Sequence, residues 1–320
     1  MKRVGILFGM EDTFPWALIG SLNEHAKNGI VAEAVEISHL SDCGKKKYDL
    51  ILDRISHEVP FYRTWLKCAV FQGTRVINSP FWWSADDKFF DNLVAGALGV
   101  AVPRTALLPH KNHPPNTTSQ SFRNLRFVDW DEVFAYLGFP IFLKPAYGGG
   151  WKDVYRCDDR TSFFNAYDQT RDLCMMAQEA IEFTEYYRCY VLGRSRVHIM
   201  RYDPTQPHAL RYVQNPPPMN ADLRSRVEQD ALALCKGLGY DMNTVEFAVR
   251  EGVPYAIDFM NCAPDADLHS VGKENFDWVV TNMTEVLVEC LNRQEVFEPT
   301  GEWPLLRARG AEGLAGLPQC

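Results

Sequence analysis

Short apolar runs alternate with helical stripes along the first hundred residues. Residues 3–8 are apolar and close at Gly9; a helical pattern then runs over 14–28. Strand-like runs follow at 31–37 and 49–53, a helix at 61–72 and a fourth strand at 74–78. Strands alternating with helices predict a doubly wound parallel sheet, with its ligand at the carboxyl ends of the strands, near residues 9–12 and 54–57. Ser84, Asp86 and Asp87 read as a capping-box-like start of a helix to about Leu98, with Phe90, Leu93, Val94 and Ala97 on one stripe. Gly99 ends it, and Pro103 restarts an extended chain.

Beyond an exposed Pro/Asn/Thr/Ser-rich loop at 109–123, the pattern changes. A helix from Trp130 ends at Gly138, and strand 141–145 leads into three glycines. A strand at 151–156, a helix at 161–170 and strands at 175–181, 186–192 and 197–202 come next. A proline-rich loop at 214–220 precedes a long helix to about Gly237, a hairpin over 245–261 and a helix at 276–291. The Gly/Pro-punctuated end, 301–320, is expected to be a loosely held tail.

Length and composition narrow the classes. A chain of 320 residues predicts two or three sub-domains, and a net charge of −8 argues against a nucleic-acid or anionic-membrane surface. No apolar run approaches the roughly 20 residues that cross a bilayer, and the N-terminus reads as a strand, not a signal peptide. Nine scattered cysteines without a CxxC pair suit reduced thiols in the cytoplasm and argue against zinc.

The chemistry concentrates in two segments, FLKPAYGGGWKDVY (142–155) and VEFAVREGVPYAIDFMN (245–261). Lys144 lies among apolar residues, where an ammonium needs an anion. Gly148, Gly149 and Gly150 let backbone N–H groups approach an oxyanion. The loop joins strand to strand, which excludes the P-loop and the dinucleotide fingerprint, both of which open a helix. Lys88, in the first turn of its helix, opposes the helix dipole unless it shares an anion with the helix N-terminus or pairs with Asp86 or Asp87. Glu246 and Asp258 flank Glu251-Gly252. A two-residue turn would put them on opposite faces; a three-residue loop, with Gly252 left-handed, would make them diagonal neighbours roughly 7–8 Å apart. Only the second register can hold one magnesium, with Asn261 as a third oxygen donor.

In this order the segments resemble the ATP-grasp ligases, nearest the glutathione-synthetase and RimK-like branch, over most of residues 1–295. The stretches carrying the resemblance are RVINSPFWWSADDK, GVAVPRT, FPIFLKPAYGGG, QEAIEFTEYYRCYVLG and the hairpin. The resemblance implies an N-terminal α/β pre-ATP-grasp domain (1–100), a small lobe with the glycine loop (101–185) and a large lobe with the metal site (186–300). It implies ATP as cofactor, with magnesium or manganese. Lys88 and Lys144 match the ATP-contacting lysines, and Gly148, Gly149 and Gly150 the loop over the phosphates. Gln178, Glu179 and Ile181 match the adenine hinge, and Glu185 the ribose-contacting acid. Arg188 matches the arginine at the acyl-phosphate end, with Lys144 acting beside it. Glu246, Asp258 and Asn261 match the metal ligands. The family spaces its last two ligands as acid-x-Asn, so Asp258-Phe-Met-Asn261 requires a bulge or the loss of Asn261 as ligand.

The implied activity joins a carboxylate to an amine through an acyl phosphate, releasing ADP and phosphate. The implied substrates are small and amino-acid- or peptide-like, and a homodimer is common among such ligases. Arg54, His57, Lys152, Arg201 and Arg211 are candidate carboxylate anchors, each with an alternative as a surface charge or structural ion pair. A kinase on the same fold and a non-catalytic nucleotide-binding regulator are the alternatives; intact lysines and acids argue against the regulator.

Overall fold

The computed structural model describes residues 1–40, 46–81, 87–207 and 210–293. Cys43, Cys320, the proposed helix start at Ser84 and Asp86, and the expected tail lie outside the described residues. Three four-stranded sheets organise the described residues.

The first sheet has the order β2-β1-β3-β4 and is wholly parallel, formed by β1 (Lys2–Leu7), β2 (Ile30–Ala34), β3 (Leu50–Asp53) and β4 (Arg75–Ile77). Helix α1 (Phe14–Glu24) buries Phe14, Leu18 and Leu22 on one face, and α2 (Pro60–Phe71) buries Leu66, Ala69 and Val70 on the other. Burying apolar stripes on both faces makes the unit doubly wound, as its pattern predicts.

Helix α3 (Lys88–Ala97) starts at Asp87, whose carboxylate accepts the Phe90 N–H at 3.0 Å. The second sheet, β5-β8-β6-β7, is antiparallel: β5 (Thr105–Leu108), β6 (Ile141–Pro145), β7 (Tyr155–Cys157) and β8 (Met175–Glu179). Helices α4 (Trp130–Leu137) and α5 (Arg160–Gln169) pack Phe134, Leu137, Phe163 and Tyr167 against it. β7 begins at Tyr155, later than its pattern suggests, because Trp151 and Asp153 hold left-handed φ of 61° and 56° and cannot extend a strand.

The third sheet, β10-β9-β11-β12, comprises β9 (Glu185–Leu192), β10 (Arg196–Arg201), β11 (Met242–Arg250) and β12 (Val253–Asp258). Helix α6 (Ala221–Leu238) covers one face, against Cys189, Val191, Val245 and Phe247. The other face meets α8 (Lys273–Asn292), which also packs on α1 and so joins the first and third sheets in one core. A short α7 (Leu268–Val271) precedes α8 and carried no periodic signal of its own.

The hairpin corrects the expected turn. Arg250 pairs directly with Val253, so Glu251-Gly252 is a two-residue turn, with φ of 52° and 76°. Two left-handed residues match a type I′ hairpin. The register then slips: Phe247 faces Ala256, whereas Glu246 faces Asp258. A bulge at Ile257 supplies the extra residue that a three-residue loop was expected to supply. Glu246 and Asp258 are therefore direct opposites on one face, not diagonal neighbours.

Candidate active site

Lys144 and Lys88 are brought together by backbone. The Lys88 N–H donates to Ala146 O at 3.0 Å, which sets the first turn of α3 against the end of β6. Lys144 Nζ is half-buried and reaches Ile257 O at 3.5 Å, on the bulge itself. Burial lowers its pKa to about 8; Asp258 and Glu246 pull it back up while the Lys88 charge pushes it further down. Two cations sharing one partly dry space form an anion site.

The glycine loop lies open over this space. Gly148 and Gly150 have φ of +83° and +75°, and a Cβ at any of the three glycines would meet nothing within 4 Å. The requirement for glycine is thus backbone conformation and close approach, not packing.

Arg188, Glu246 and Asp258 form a single cross-strand row: β9 pairs Arg188 with Glu246, and β12 pairs Asp258 with Glu246. Arg188 Nη1 lies 3.6 Å from Glu246 Oε1, and the Tyr186 hydroxyl donates to Glu246 Oε2 at 2.6 Å. Burial raises the Glu246 pKa; Arg188 opposes the rise, and Asp258 adds to it. The two facing carboxylates are short of positive charge, which suits a divalent cation completed by phosphate oxygens. Asp258 is exposed at the end of its strand, not half-buried as its apolar context suggests.

Asn261 lies beyond β12, so strand alternation does not decide its side. Its N–H donates to Asn243 Oδ1 at 2.8 Å and its Nδ2 to Thr244 Oγ1 at 3.2 Å. Thr244 is two residues from Glu246 on β11, so the Asn261 side chain reaches the carboxylate face. No group of three or more His, Cys, Asp or Glu side chains suited to a metal occurs among the described residues. The available donor set is two carboxylates and one carboxamide.

A cavity of about 150 Å³ joins these parts. Lys88, Lys144, Gly148, Gly149, Gly150 and Lys152 line one side, and Glu246 and Asp258 another. The end of β8 and the residues just after it complete the lining, where Gln178, Glu179 and Ile181 join Phe142, Phe183 and Ala248. Gln178 Nε2 is committed to Thr105 Oγ1 at 3.0 Å, and Glu179 pairs with Arg104 and Arg250 at 3.0 and 2.8 Å. The Glu179 and Ala180 N–H groups are also bonded, whereas Ile181 makes no backbone bond among the described residues. An apolar slot with a free peptide edge suits a planar heterocycle.

Other candidates lie elsewhere. Glu185 shares the α6 side of β9 with Tyr187, opposite Arg188, and pairs with Arg201 at 2.8 Å. Alternation separates both from the cavity. Arg54 is buried in an ion pair with Glu11, donates to Pro264 O at 2.6 Å and lies over the Phe14 ring, so its charge is already spent. His57 is exposed beside Glu58. Arg211 stands outside the lining, 5.8 Å over the Trp151 ring of the glycine loop. At the carboxyl end of the parallel sheet, the expected ligand position, Asp267 caps α1. Its carboxylate accepts the N–H groups of Asp12, Thr13 and Phe14 at the start of α1. Burial opposes that charge, but those bonds outweigh it and hold Asp267 below the usual carboxylate range.

Sequence reasoning missed Tyr186, Asn243 and Thr244. The last two carried a signal, a polar pair opening an otherwise apolar strand.

The fold has counterparts among solved structures. D-alanine–D-alanine ligase from Bacillus anthracis complexed with ATP superposes with a TM-score of 0.62 at 18% identity, covering 93% of this chain and 100% of that one. A RimK domain ATP-grasp protein from Sphaerobacter thermophilus gives 0.62 at 16% identity, over 89% and 98%. The ATP-grasp ligase PsnB, complexed with minimal precursor, Mg and ADP, gives 0.59 at 12% identity, over 91% and 98%. No family model and no curated protein matches the sequence. The chain has the ATP-grasp fold.

Proposed function

We propose that this protein is an ATP-dependent carboxylate–amine ligase that works through an acyl phosphate. The observation that carries this is the facing of Glu246 and Asp258 with Lys144 and Lys88 across one cavity, under a glycine loop, with Arg188 buried behind Glu246 at 3.6 Å. The fold neighbours named as ligases support it, one of them with Mg and ADP.

The adenine would enter the slot beside Ile181, and the triphosphate would lie beneath the loop against Lys88 and Lys144. Glu246, Asp258 and Asn261 would hold magnesium or manganese, which when bound neutralises phosphate charge. A substrate carboxylate oxygen attacks the γ-phosphorus; the bridging P–O bond breaks, and its electron pair leaves with ADP. An amine nitrogen then attacks the acyl carbon. Phosphate departs with the C–O pair, the nitrogen loses a proton to water, and an amide remains. The chain's part is positioning and charge neutralisation: the lysines and Arg188 face the oxygens on which charge accumulates. Closure of the loop excludes water that would hydrolyse the acyl phosphate.

The test is ADP release measured across free amino acids and dipeptides, singly and in pairs. Release should require a carboxylate and an amine together, or a carboxylate with hydroxylamine giving a hydroxamate. ADP formed with a phosphorylated alcohol and no amide would make the protein a kinase instead.

A further inference from the structure

Tyr212 belongs to the segment between β10 and α6, and its backbone bridges antiparallel to Tyr202. The Tyr212 ring packs edge-on against Tyr202 with centroids 5.1 Å apart, and the Arg188 guanidinium lies 5.5 Å over that same Tyr202 ring. Tyr212 is 6% exposed and Arg188 8%. The Tyr212 hydroxyl and the Arg188 Nε–H have no hydrogen-bond partner among the described residues. A buried, unpaired donor costs roughly 1–3 kcal/mol, and here two of them gather around one ring.

Arg188 is poorly satisfied as a whole. Its remaining contacts are long: 3.5 Å to Tyr202 Oη, 3.3 Å to Thr244 Oγ1 and 3.6 Å to Glu246 Oε1. A guanidinium has five N–H donors in a planar fork and no acceptor. The Tyr212 hydroxyl, also without a partner among the described residues, can donate its proton alongside it. Burial and the nearby Asp265 keep the phenol protonated, although the Arg188 charge opposes them. The guanidinium offers donors only and the hydroxyl can add another, so the complementary ligand is an oxyanion. The nucleotide phosphates already have their lysines on the far side of the Glu246–Asp258 pair. The next residue back, Arg211, stacks on Trp151 of the glycine loop. One short segment thus meets the loop with Arg211 and the interior with Tyr212.

We infer that Tyr212 contacts substrate, its hydroxyl and the Arg188 Nε–H together holding the carboxylate to be activated. This rests on the ligase reading and adds to it a residue that selects carboxylates against neutral carboxamides.

The experiment is thermal unfolding of wild-type protein and Tyr212→Phe, first alone and then with ADP and magnesium. To the latter are added acetate, inorganic phosphate, or a panel of free amino acids and dipeptides. At least one carboxylate should raise the wild-type midpoint beyond ADP and magnesium alone. In Tyr212→Phe its apparent Kd should rise at least about tenfold, the strength of one charge-assisted bond. The ADP–magnesium shift should persist, and the unliganded midpoint should be equal or higher, because an unpaired hydroxyl has been removed. Equal carboxylate affinity in the variant overturns the inference. So does a lower unliganded midpoint, which would reveal a structural partner, or a response to phosphate in place of every carboxylate, or no carboxylate response at all. Absence of any ADP–magnesium shift in the wild type would sink the ligase reading instead.

Discussion

Lys144 is an ammonium held in a half-buried space whose nearest cation, Lys88, repels it. Its pKa of about 8 has two opposite consequences for pH. The proposed nucleotide site needs the charged lysine, so ADP binding should weaken as pH rises through about 8, as calorimetric titration would show. Stability runs the other way. Between about 8 and the unfolded value near 10.4 the unfolded chain binds more protons, so the lysine's unfavourable contribution is relieved as pH rises. Lys144→Met should lose nucleotide binding and its pH dependence, without a fall in the unliganded midpoint. Asp258→Asn keeps the shape and removes the charge facing Glu246; magnesium-dependent turnover should drop by roughly 100-fold. Equal turnover would remove Asp258 from the proposed metal site. Lys144 was legible in the sequence because a lysine in an apolar run is costly without a partner; the same reasoning expected a half-buried Asp258, which is exposed. Glu185 and Arg201 were not legible, since their role depends on which face of β9 and β10 they occupy, and spacing from a hinge does not fix that.

Among the elements, the hairpin shows how parity is set. Its turn is the ordinary two-residue kind, which alone would send Glu246 and Asp258 to opposite faces. The bulge at Ile257 reverses that, and its carbonyl also receives Lys144 Nζ. The need for both acids on one face was readable from the sequence; the device was not, because an unpaired isoleucine in a strand has no compositional mark. The glycine loop was readable in kind, although its left-handed residues continue to Asp153. ADP with magnesium should slow hydrogen exchange across residues 148–152 and leave β6 unchanged. Equal exchange with and without nucleotide would argue against its closing.

At the scale of the whole molecule, the three sheets follow from the order of apolar runs. The joints between them do not, because they pair polar groups far apart in the chain. Asn78 is the clearest case. Its amide donates to Met242 O and Cys262 O at 2.8 and 3.1 Å and accepts from the Asp241 and Met242 N–H groups at 2.8 and 3.1 Å. Asn78→Ala should cost about 3 kcal/mol in chemical denaturation, since each buried group left unpaired costs roughly 1–3 kcal/mol; a loss within error would deny it that clamping role. Asp267 makes a second joint by capping α1. Because its carboxyl is held below the usual range, the stability it adds is present above the unfolded value near 3.9 and disappears as pH falls through the lower folded value. Acid therefore unfastens the N-terminal unit at a known buckle. Limited proteolysis at falling pH should nick residues 8–13 before the β9–β11 sheet, and Asp267→Asn should already be open there at neutral pH. The carboxylate that caps α1 at the end of the parallel sheet thus doubles as an acid-sensitive latch on the protein's own back wall.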